Sequence, residues 1–286
     1  MPPDPTSNGI AVPFDDRYFA PLRDSSAFLG DAGELRSRYR HDGYLYLRGV
    51  LDRPTVMTMR QAYFSAFPAG YLRGGTPAVE GVFSGQRPAG LPAHGVDGHP
   101  AHAFVRSARF AAFAADARLE DLAAAVLDGP VERLPRAIVR HFDRSSAMAS
   151  RAHVDYSYLD QGSDQLLTMW IPLGDCPRAT GGLVYLEGSH RVPLSRFGPL
   201  HSVTDRPADD RAISHDLAWV AGQLGRRWLW ADYQAGDVAI HSPYIVHASL
   251  DTVTDIMRLS ADVRFLRQGQ RPDPRWLEAW AGDDGN

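Results

Sequence analysis

The sequence has a single cysteine, Cys176, so no disulfide can form within the chain. It has no run of basic residues interleaved with aromatic ones, and its 30 Lys and Arg against 34 Asp and Glu give a formal net charge of -4. A nucleic-acid-binding groove is therefore not expected. No apolar run reaches the roughly 18 residues that a membrane-spanning helix requires, and the N-terminus lacks the apolar core of a signal peptide. These absences predict a soluble, cytoplasmic protein that binds neither nucleic acid nor membrane.

The organisation of the chain changes near residue 137. Helical patterns cover residues 31–40, 53–67, 107–115 and 119–127, with one strand at 44–47. From 137 to 266 the chain instead carries short strands separated by turn residues, at 137–142, 166–172, 182–186, 228–231, 237–241 and 257–266. Strands that do not alternate regularly with helices favour a β-sandwich or barrel over a doubly wound α/β sheet.

Two segments fall outside these patterns. Residues 1–10 are predicted to be a disordered leader. Glycine and proline recur through 68–103, and a loop of this length in a compact domain is usually functional or disordered, so a mobile lid is expected there. No linker or internal repeat divides the chain, and we therefore predict one domain over 1–286, with a β core at 137–266 and an oligomeric state that the sequence does not indicate.

The sharpest local motif is His153-Val154-Asp155. Residues two apart on an extended strand project to the same side and can bind one metal ion together. Two histidines and one carboxylate are typical of non-haem iron(II) sites that keep other coordination positions open. Such a triplet is common, however, and by itself more often marks an ordinary surface segment. The third ligand would come from His241 or His247.

A strongly alternating strand begins at Arg258. Its polar residues would share one face, while its apolar residues would pack on the other. On this pattern alone the polar face could lie in solvent, as in many sheets with one exposed side, or could line a carboxylate-binding pocket. The polar face consists of Arg258, Ser260, Asp262 and Arg264.

Several motifs in one order resemble the phytanoyl-CoA dioxygenase family of iron(II)- and 2-oxoglutarate-dependent oxygenases. The motifs are His153-x-Asp155, Trp-Ile-Pro-Leu at 170–173, Gly-Gly-Leu-Val-Tyr-Leu-Glu-Gly-Ser-His-Arg at 181–191, and Gly236-Asp237 followed by His247-Ala-Ser249 and Arg258. Residues 43–51 resemble the family's N-terminal strand. Val154 departs from the pattern, since many members carry a polar residue there that contacts the cosubstrate.

The resemblance implies a mainly β fold with flanking helices, a double-stranded β-helix of the jelly-roll or cupin-like kind. It implies Fe(II) as cofactor, with 2-oxoglutarate and O2 as cosubstrates. Spacing within the family pattern selects His247 over His241 as the third ligand. The implied site has metal ligands His153, Asp155 and His247; cosubstrate contacts Arg258, Ser249, Trp170 and Arg140; and substrate-pocket residues Tyr156, Tyr158 and Arg264. Trp170 is equally well explained as core packing.

By resemblance, the reaction hydroxylates a C–H bond of a small organic molecule and releases succinate and CO2. Asp155 favours hydroxylation, because related halogenating enzymes carry a small residue at this position. The chain shows no basic cluster suited to the phosphates of coenzyme A, so an intermediate of natural-product biosynthesis is the expected substrate.

Three alternatives stay open at this point. The same iron site could catalyse desaturation, epoxidation or cyclisation, and the fold could serve a catalytically silent binding protein. A zinc hydrolase is disfavoured because no separate general base has suitable spacing. The remaining histidines are expected to be structural, hydrogen-bonded or solvated, namely His190 in the Gly-Ser-His turn, His141 on a strand, and His94, His99 and His102 in the loop.

Overall fold

The computed structural model describes residues 3–145, 149–196 and 211–281. Its helices lie mostly in the N-terminal half and its longer strands in the C-terminal half, as the sequence predicts. The helices are α1 (Ala32–Asp42), α2 (Arg53–Phe64), α3 (Pro100–Val105), α4 (Ala108–Ala114), α5 (Ala117–Leu127) and α6 (Leu217–Leu224). The strands are β1 (Thr6–Ser7), β2 (Ile10–Ala11), β3 (Phe19–Pro21), β4 (Tyr44–Leu47), β5 (Val131–Arg133), β6 (Ile138–Phe142), β7 (Leu166–Pro172), β8 (Leu183–Leu186), β9 (Trp228–Trp230), β10 (Val238–His241), β11 (His247–Ser249) and β12 (Arg258–Arg267).

Two sheets face each other. The major sheet has the order β4-β10-β7-β12-β5, and β6 also pairs with β12. The minor sheet has the order β11-β8-β9-β3. A cluster of buried side chains from both sheets, including Tyr46, Trp170 and Tyr185, fills part of the space between them. This arrangement confirms the predicted jelly roll with flanking helices.

The central strands of the major sheet are buried on both faces, because helices cover one side and the minor sheet covers the other. Every residue of β7 is buried. Leu167, Met169 and Ile171 pack in the cluster formed with the helices, whereas Trp170 packs between the sheets. The period-2 alternation of a strand therefore sends Thr168 and Trp170 toward the interior of the barrel.

The helical layer is fixed by conventional end signals. The side chain of Asp31 accepts a hydrogen bond from the backbone N–H of Glu34 at the start of α1, and Gly43 ends that helix with a left-handed φ of 79°. A Cβ atom at Gly43 would lie only 2.4 Å from Nδ1 of His190, so the Gly-Ser-His turn packs directly against this helix end. His190 is structural, as expected.

Residues 3–10 are ordered where the sequence pattern suggested disorder; residues 1 and 2 lie outside the described part of the chain. The β1–β2 hairpin is held by Asp251, whose carboxylate accepts from Thr6 Oγ1 at 2.7 Å and from Gly9 N at 2.8 Å. Ser7 is fully buried and donates to the carbonyl of Ser249 at 2.8 Å. These partners are more than 240 residues away in sequence, so local composition could not reveal them.

The segment 68–103 covers the outer side of the major sheet. Val82 forms a β-bridge with Ile256, and Tyr71 contacts the outward-facing His141 of β6. No residue of 68–103 is among the described residues that line the cavity between the sheets. In this structure the segment thus covers the helical side of the major sheet and not the cavity.

Among the helices of the described ranges, none combines the length and the apolar character that crossing a membrane requires.

Candidate metal centre

A small polar cavity opens between the two sheets. Its walls combine polar residues from β7, β10, β11 and β12 with few apolar ones, which is unusual for the interior of a barrel. The cavity is lined by Arg140, Ser150, His153, Asp155, Thr168, Trp170, Leu183, His241, His247, Ser249, Arg258, Asp262 and Arg264.

Three of these residues converge on one point. His153 and His247 face each other across a β-bridge with N···O distances of 3.0 and 2.9 Å, and Asp155 opens a short 3-10 helix just after it. Oδ1 of Asp155 lies 3.8 Å from Nε2 of His153 and 3.6 Å from Nε2 of His247. One ligand atom from each residue fits within 4.8 Å of the others, a spacing suited to a metal ion.

In both histidines, the ring nitrogen that points away from this centre is hydrogen-bonded to a backbone carbonyl. Nδ1 of His153 lies 2.6 Å from the carbonyl of Arg151, and Nδ1 of His247 lies 3.0 Å from the carbonyl of Ile245. A carbonyl only accepts, so Nδ1 carries the hydrogen and Nε2 keeps a lone pair. Burial lowers the pKa of both rings, most strongly for His247. Both histidines therefore present neutral nitrogen ligands.

The Asp155 carboxylate has two differently occupied oxygens. Oδ2 accepts from Thr168 Oγ1 at 2.6 Å and from Arg264 Nη2 at 3.0 Å, while Oδ1 faces the two histidines. Burial raises the pKa of Asp155, but the charge of the Arg264 guanidinium opposes this effect, and the pKa lies well below its usual range. Asp155 is thus a buried anion.

Arg258 lies further along the cavity wall. Its guanidinium donates to the carbonyl of Gly181 at 2.9 Å and to Ser260 Oγ at 3.2 Å, and it lies over the ring of Phe142. Burial lowers the pKa of Arg258 to about 10, so the group stays cationic at neutral pH. Its Nε has no hydrogen-bond partner among the described residues, and neither does Oγ of Ser249. A buried donor without a partner costs roughly 1–3 kcal/mol, which a bound carboxylate would recover.

The other predicted cosubstrate contacts also lie on this wall. Trp170 is turned inward and its Nε1 has no partner within the described chain, so it is both a packing residue and part of the cavity surface. Arg140 lines the cavity with its Nε 3.5 Å from Asp262 Oδ2. Asp262 and Arg264 therefore do not pair with each other, because Arg264 binds Asp155 instead.

The polar face of β12 is enclosed. Arg258, Ser260 and Arg264 are all buried, so of the two alternatives that the strand pattern left open, the structure favours the pocket over solvent exposure. Tyr156 and Tyr158 lie beside the cavity and are not among its lining residues. The Tyr158 ring centroid is 5.6 Å from that of His153, and Tyr156 packs on Tyr244.

Sequence reasoning passed over Thr168. The signal was present, because Thr168 is the one hydroxyl residue in the apolar strand β7 and shares the face of Trp170.

His241, the alternative ligand, also reaches the cavity, and its Nε2 lies 3.4 Å from Asp155 Oδ2. His247 alone of the two belongs to the three-residue metal cluster.

The histidines expected to be solvated or hydrogen-bonded lie on the opposite face of the major sheet. His141 is buried between two hydroxyls, with Tyr63 OH 2.6 Å from Nδ1 and Tyr71 OH 2.6 Å from Nε2. His99 is also buried, and its ring stacks on that of His141 at 5.5 Å. His102 is buried as well, whereas His94 is half-buried and its Nε2 lies 2.9 Å from the carbonyl of Val139.

Comparison with known proteins agrees with this architecture. The 1-deoxypentalenic acid 11-beta-hydroxylase of Streptomyces arenae is 26% identical over 265 residues, covering 86% of this chain and 85% of that enzyme. The crystal structure of the epimerase SnoN in complex with Fe3+, alpha ketoglutarate and nogalamycin RO has a TM-score of 0.59 at 21% identity, covering 86% of this chain and 87% of SnoN. The crystal structure of the carbocyclase SnoK from nogalamycin biosynthesis has a TM-score of 0.58 at 18% identity, covering 88% of this chain and 90% of SnoK.

A jelly roll that encloses two histidines and one carboxylate defines the class, a non-haem iron oxygenase. The model of the family described as phytanoyl-CoA dioxygenase matches residues 39–260, and the chain belongs to this family. It is a 2-oxoglutarate-dependent enzyme whose cofactor is Fe(II) and whose cosubstrates are 2-oxoglutarate and O2. The solved structures, all below 25% identity, support the fold.

Proposed function

We propose that this protein hydroxylates a C–H bond of a small organic molecule, an intermediate of natural-product biosynthesis, with His153, Asp155 and His247 as the iron ligands. The observation that carries the proposal is the convergence of three ligand atoms within 4.8 Å, with both Nδ1 atoms bound to carbonyls. The catalytic unit is inferred to be one domain over residues 1–286. Bound Fe(II), with 2-oxoglutarate and O2, supplies the oxidation, and succinate and CO2 leave with the hydroxylated product.

Side chains along the cavity wall would hold 2-oxoglutarate in place. Arg258 would bind the distal carboxylate of 2-oxoglutarate, because its planar guanidinium suits carboxylate recognition and its buried Nε has no protein partner among the described residues. Ser249 would add a hydroxyl donor and Trp170 a flat wall. Arg258, Ser249 and Trp170 are all buried, and burial strengthens charge-assisted contacts.

The substrate proposal rests on relatives. The Streptomyces hydroxylases of 1-deoxypentalenic acid match this chain along most of its length, which supports a small-molecule substrate with a C–H bond to be hydroxylated. Arg140, Tyr156 and Tyr158, which line or adjoin the cavity, are proposed to contact that substrate. Arg264, which the resemblance placed in the substrate pocket, donates instead to Oδ2 of Asp155 at 3.0 Å.

The first test needs no substrate. Anaerobic protein with Fe(II) and 2-oxoglutarate is expected to show the visible charge-transfer band that an α-keto acid chelate produces, and admission of air should slowly yield succinate. Succinate offered in place of 2-oxoglutarate is the matched control, because it lacks the keto group and gives no band. Folded, iron-loaded protein that shows neither band nor succinate formation would leave a silent binding protein as the better assignment.

A second measurement addresses the substrate class. Purified enzyme is incubated with 1-deoxypentalenic acid, the substrate in the relatives' name, and with other natural-product scaffolds, each with and without 2-oxoglutarate. A product heavier by one oxygen, formed only with 2-oxoglutarate, is the expected outcome for the true class. A product that has instead lost two hydrogens would identify desaturation or ring closure.

A further inference from the structure

The carboxylate of Asp155 is held by its far oxygen. Oδ2 accepts from the hydroxyl of Thr168 at 2.6 Å and from Nη2 of Arg264 at 3.0 Å, and both donors are buried. Oδ1 makes neither contact and lies 3.6 and 3.8 Å from the Nε2 atoms of the two histidines. The two oxygens of one carboxylate are therefore assigned to different partners by the protein.

The two donors are themselves fixed. Thr168 lies in the middle of β7, paired with Arg264 on β12 and with His241 on β10. Arg264 lies with its guanidinium carbon 4.1 Å from the centre of the Trp276 ring, and Trp276 Nε1 donates to the carbonyl of Tyr158 at 2.9 Å. Because each donor is set by sheet register and packing, neither can easily follow the carboxylate if it rotates.

The consequence concerns how many oxygens Asp155 can offer. A carboxylate can bind a metal through one oxygen or both, and binding through both would occupy a coordination position that a cosubstrate needs. Rotating Oδ2 toward the histidines would break the contacts with Thr168 and Arg264 inside a buried site, where charge-assisted hydrogen bonds are strong.

We propose that Thr168 and Arg264 are positioning residues that hold Oδ2 of Asp155 away from the metal, so that Asp155 offers the ion a single oxygen. This inference rests on the proposed function, because it takes Asp155 as an iron ligand. Neither residue touches the metal; both act through the carboxylate, and the open coordination position depends on them.

The test compares Thr168→Val, which keeps the shape and removes the hydroxyl, with Thr168→Ser, which restores it. Fe(II) affinity is measured by competition with a chelator, and the charge-transfer band is recorded with 2-oxoglutarate. Thr168→Val is expected to weaken Fe(II) binding by about 10- to 100-fold and to shift the band, as loss of an outer partner of a metal ligand typically does. Thr168→Ser should behave like the wild type.

Thr252→Val is the matched control, since Thr252 is also buried, its hydroxyl donates to the carbonyl of Thr180 at 2.8 Å, and neither residue lines the cavity. It should leave iron affinity and the band unchanged. Arg264→Met, compared with Arg264→Lys, gives an independent pair if Thr168→Val fails to fold. Lysine is expected to retain more of the wild-type band than methionine.

The outcomes separate the inference from the proposed function. Suppose that the wild-type protein binds Fe(II) and 2-oxoglutarate and shows the band. If Thr168→Val and Arg264→Met then match it in iron affinity and spectrum, the positioning role is overturned and the iron site stands. Folded wild-type protein without any band would overturn the proposed function itself. Weakened binding in Thr168→Val, rescued by serine and absent from Thr252→Val, would establish the positioning role.

Discussion

Two groups of histidines, one between the two sheets and one on the outer face of the major sheet, differ in where their nitrogens point. Between the sheets, His153 and His247 bind carbonyls through Nδ1 and turn Nε2 toward a common centre with Asp155. On the outer face, both nitrogens of His141 are bound, to Tyr63 and Tyr71. Burial alone therefore does not distinguish a functional histidine from a structural one.

On the outer face, Tyr63, His141, Tyr71 and Asp143 form a hydrogen-bond network in which the donor and acceptor of each bond can be assigned. Tyr71 donates its hydroxyl hydrogen to Asp143 Oδ2 at 3.0 Å, so its oxygen must accept from Nε2 of His141. Nδ1 of His141 then accepts from the hydroxyl of Tyr63. The polar side-chain atoms of Tyr63, His141, Tyr71 and Asp143 thus all find partners within the protein. The inner group converges instead on a position that only a ligand would fill, which is the physical mark of a site.

The strongest test of this contrast compares two buried aspartates, one from each histidine group. Asp155→Ala should abolish the Fe(II)–2-oxoglutarate band and weaken iron binding by more than the about 10- to 100-fold typical of outer-shell changes. Asp143→Ala, on the outer face, should destabilise the fold because it leaves Arg87 and Tyr71 without their partner, yet keep the band. Iron titration and urea unfolding of both variants measure the difference. Loss of the band in folded Asp143→Ala protein would contradict the distinction between a functional group between the sheets and a structural group on the outer face.

Two buried arginines extend the contrast. Arg60 donates to the carbonyls of Val79, Leu173 and Met257 through all three of its nitrogens, whereas Nε of Arg258 has no partner in the part of the chain that the structure describes. Arg258→Met is expected to raise the Kd for 2-oxoglutarate by about 10- to 100-fold, the value of one charge-assisted hydrogen-bonded contact, with iron binding retained.

The matched variant Arg60→Met should lower the free energy of unfolding and leave the Kd for 2-oxoglutarate near that of the wild type. Both constants come from titrating the charge-transfer band. Equal effects of the two substitutions on the Kd would mean that Arg258 is a structural arginine like Arg60.

Tyr71→Phe tests the outer network alone. It removes the hydroxyl between His141 and Asp143, and leaving these buried groups short of a partner should cost about 1–3 kcal/mol of unfolding free energy. Urea unfolding measures the loss. The iron affinity should not change, because the network lies on the other side of the sheet; a parallel loss of iron binding would show that the two faces are coupled.

The smallest expected effect is on pH dependence. Burial, with smaller contributions from His94 and His102, lowers the pKa of His99 from 6.5 to about 3. The unfolded chain thus binds a proton between these values that the folded protein does not, so stability is full above about pH 6.5 and falls as the pH drops through this window. His99→Gln should flatten the slope measured by urea unfolding from pH 7.5 to 5, and exposed His41→Gln should not.

Much of this site was readable from the sequence, because its signals are local. The His153-x-Asp155 spacing, the order of motifs up to Arg258 and the alternation of β12 each depend on neighbours in the chain, and strand geometry turns such spacing into a shared face. Strand positions such as 44–47 and 166–172 also coincide with the structure, since turn residues delimit buried apolar runs.

What the sequence left open depends on residues that meet only in the folded chain. The side of β12 that carries Arg258 and Arg264 faces the cavity because the minor sheet covers it, and a strand pattern does not tell which layer covers which face. The leader is ordered by Asp251, and the 68–103 segment packs on His141 instead of the cavity.

The sequence by itself determined the class of chemistry, since two histidines, one aspartate and an arginine stand at the family's spacing along the chain. Only the tertiary structure decided which atoms of those residues are available. Thr168 and Arg264 come from different strands, and sheet register alone brings both to one oxygen of Asp155. Hydrogen bonds act over about 3 Å, so the use of each lone pair is set by three-dimensional contact and not by order along the chain.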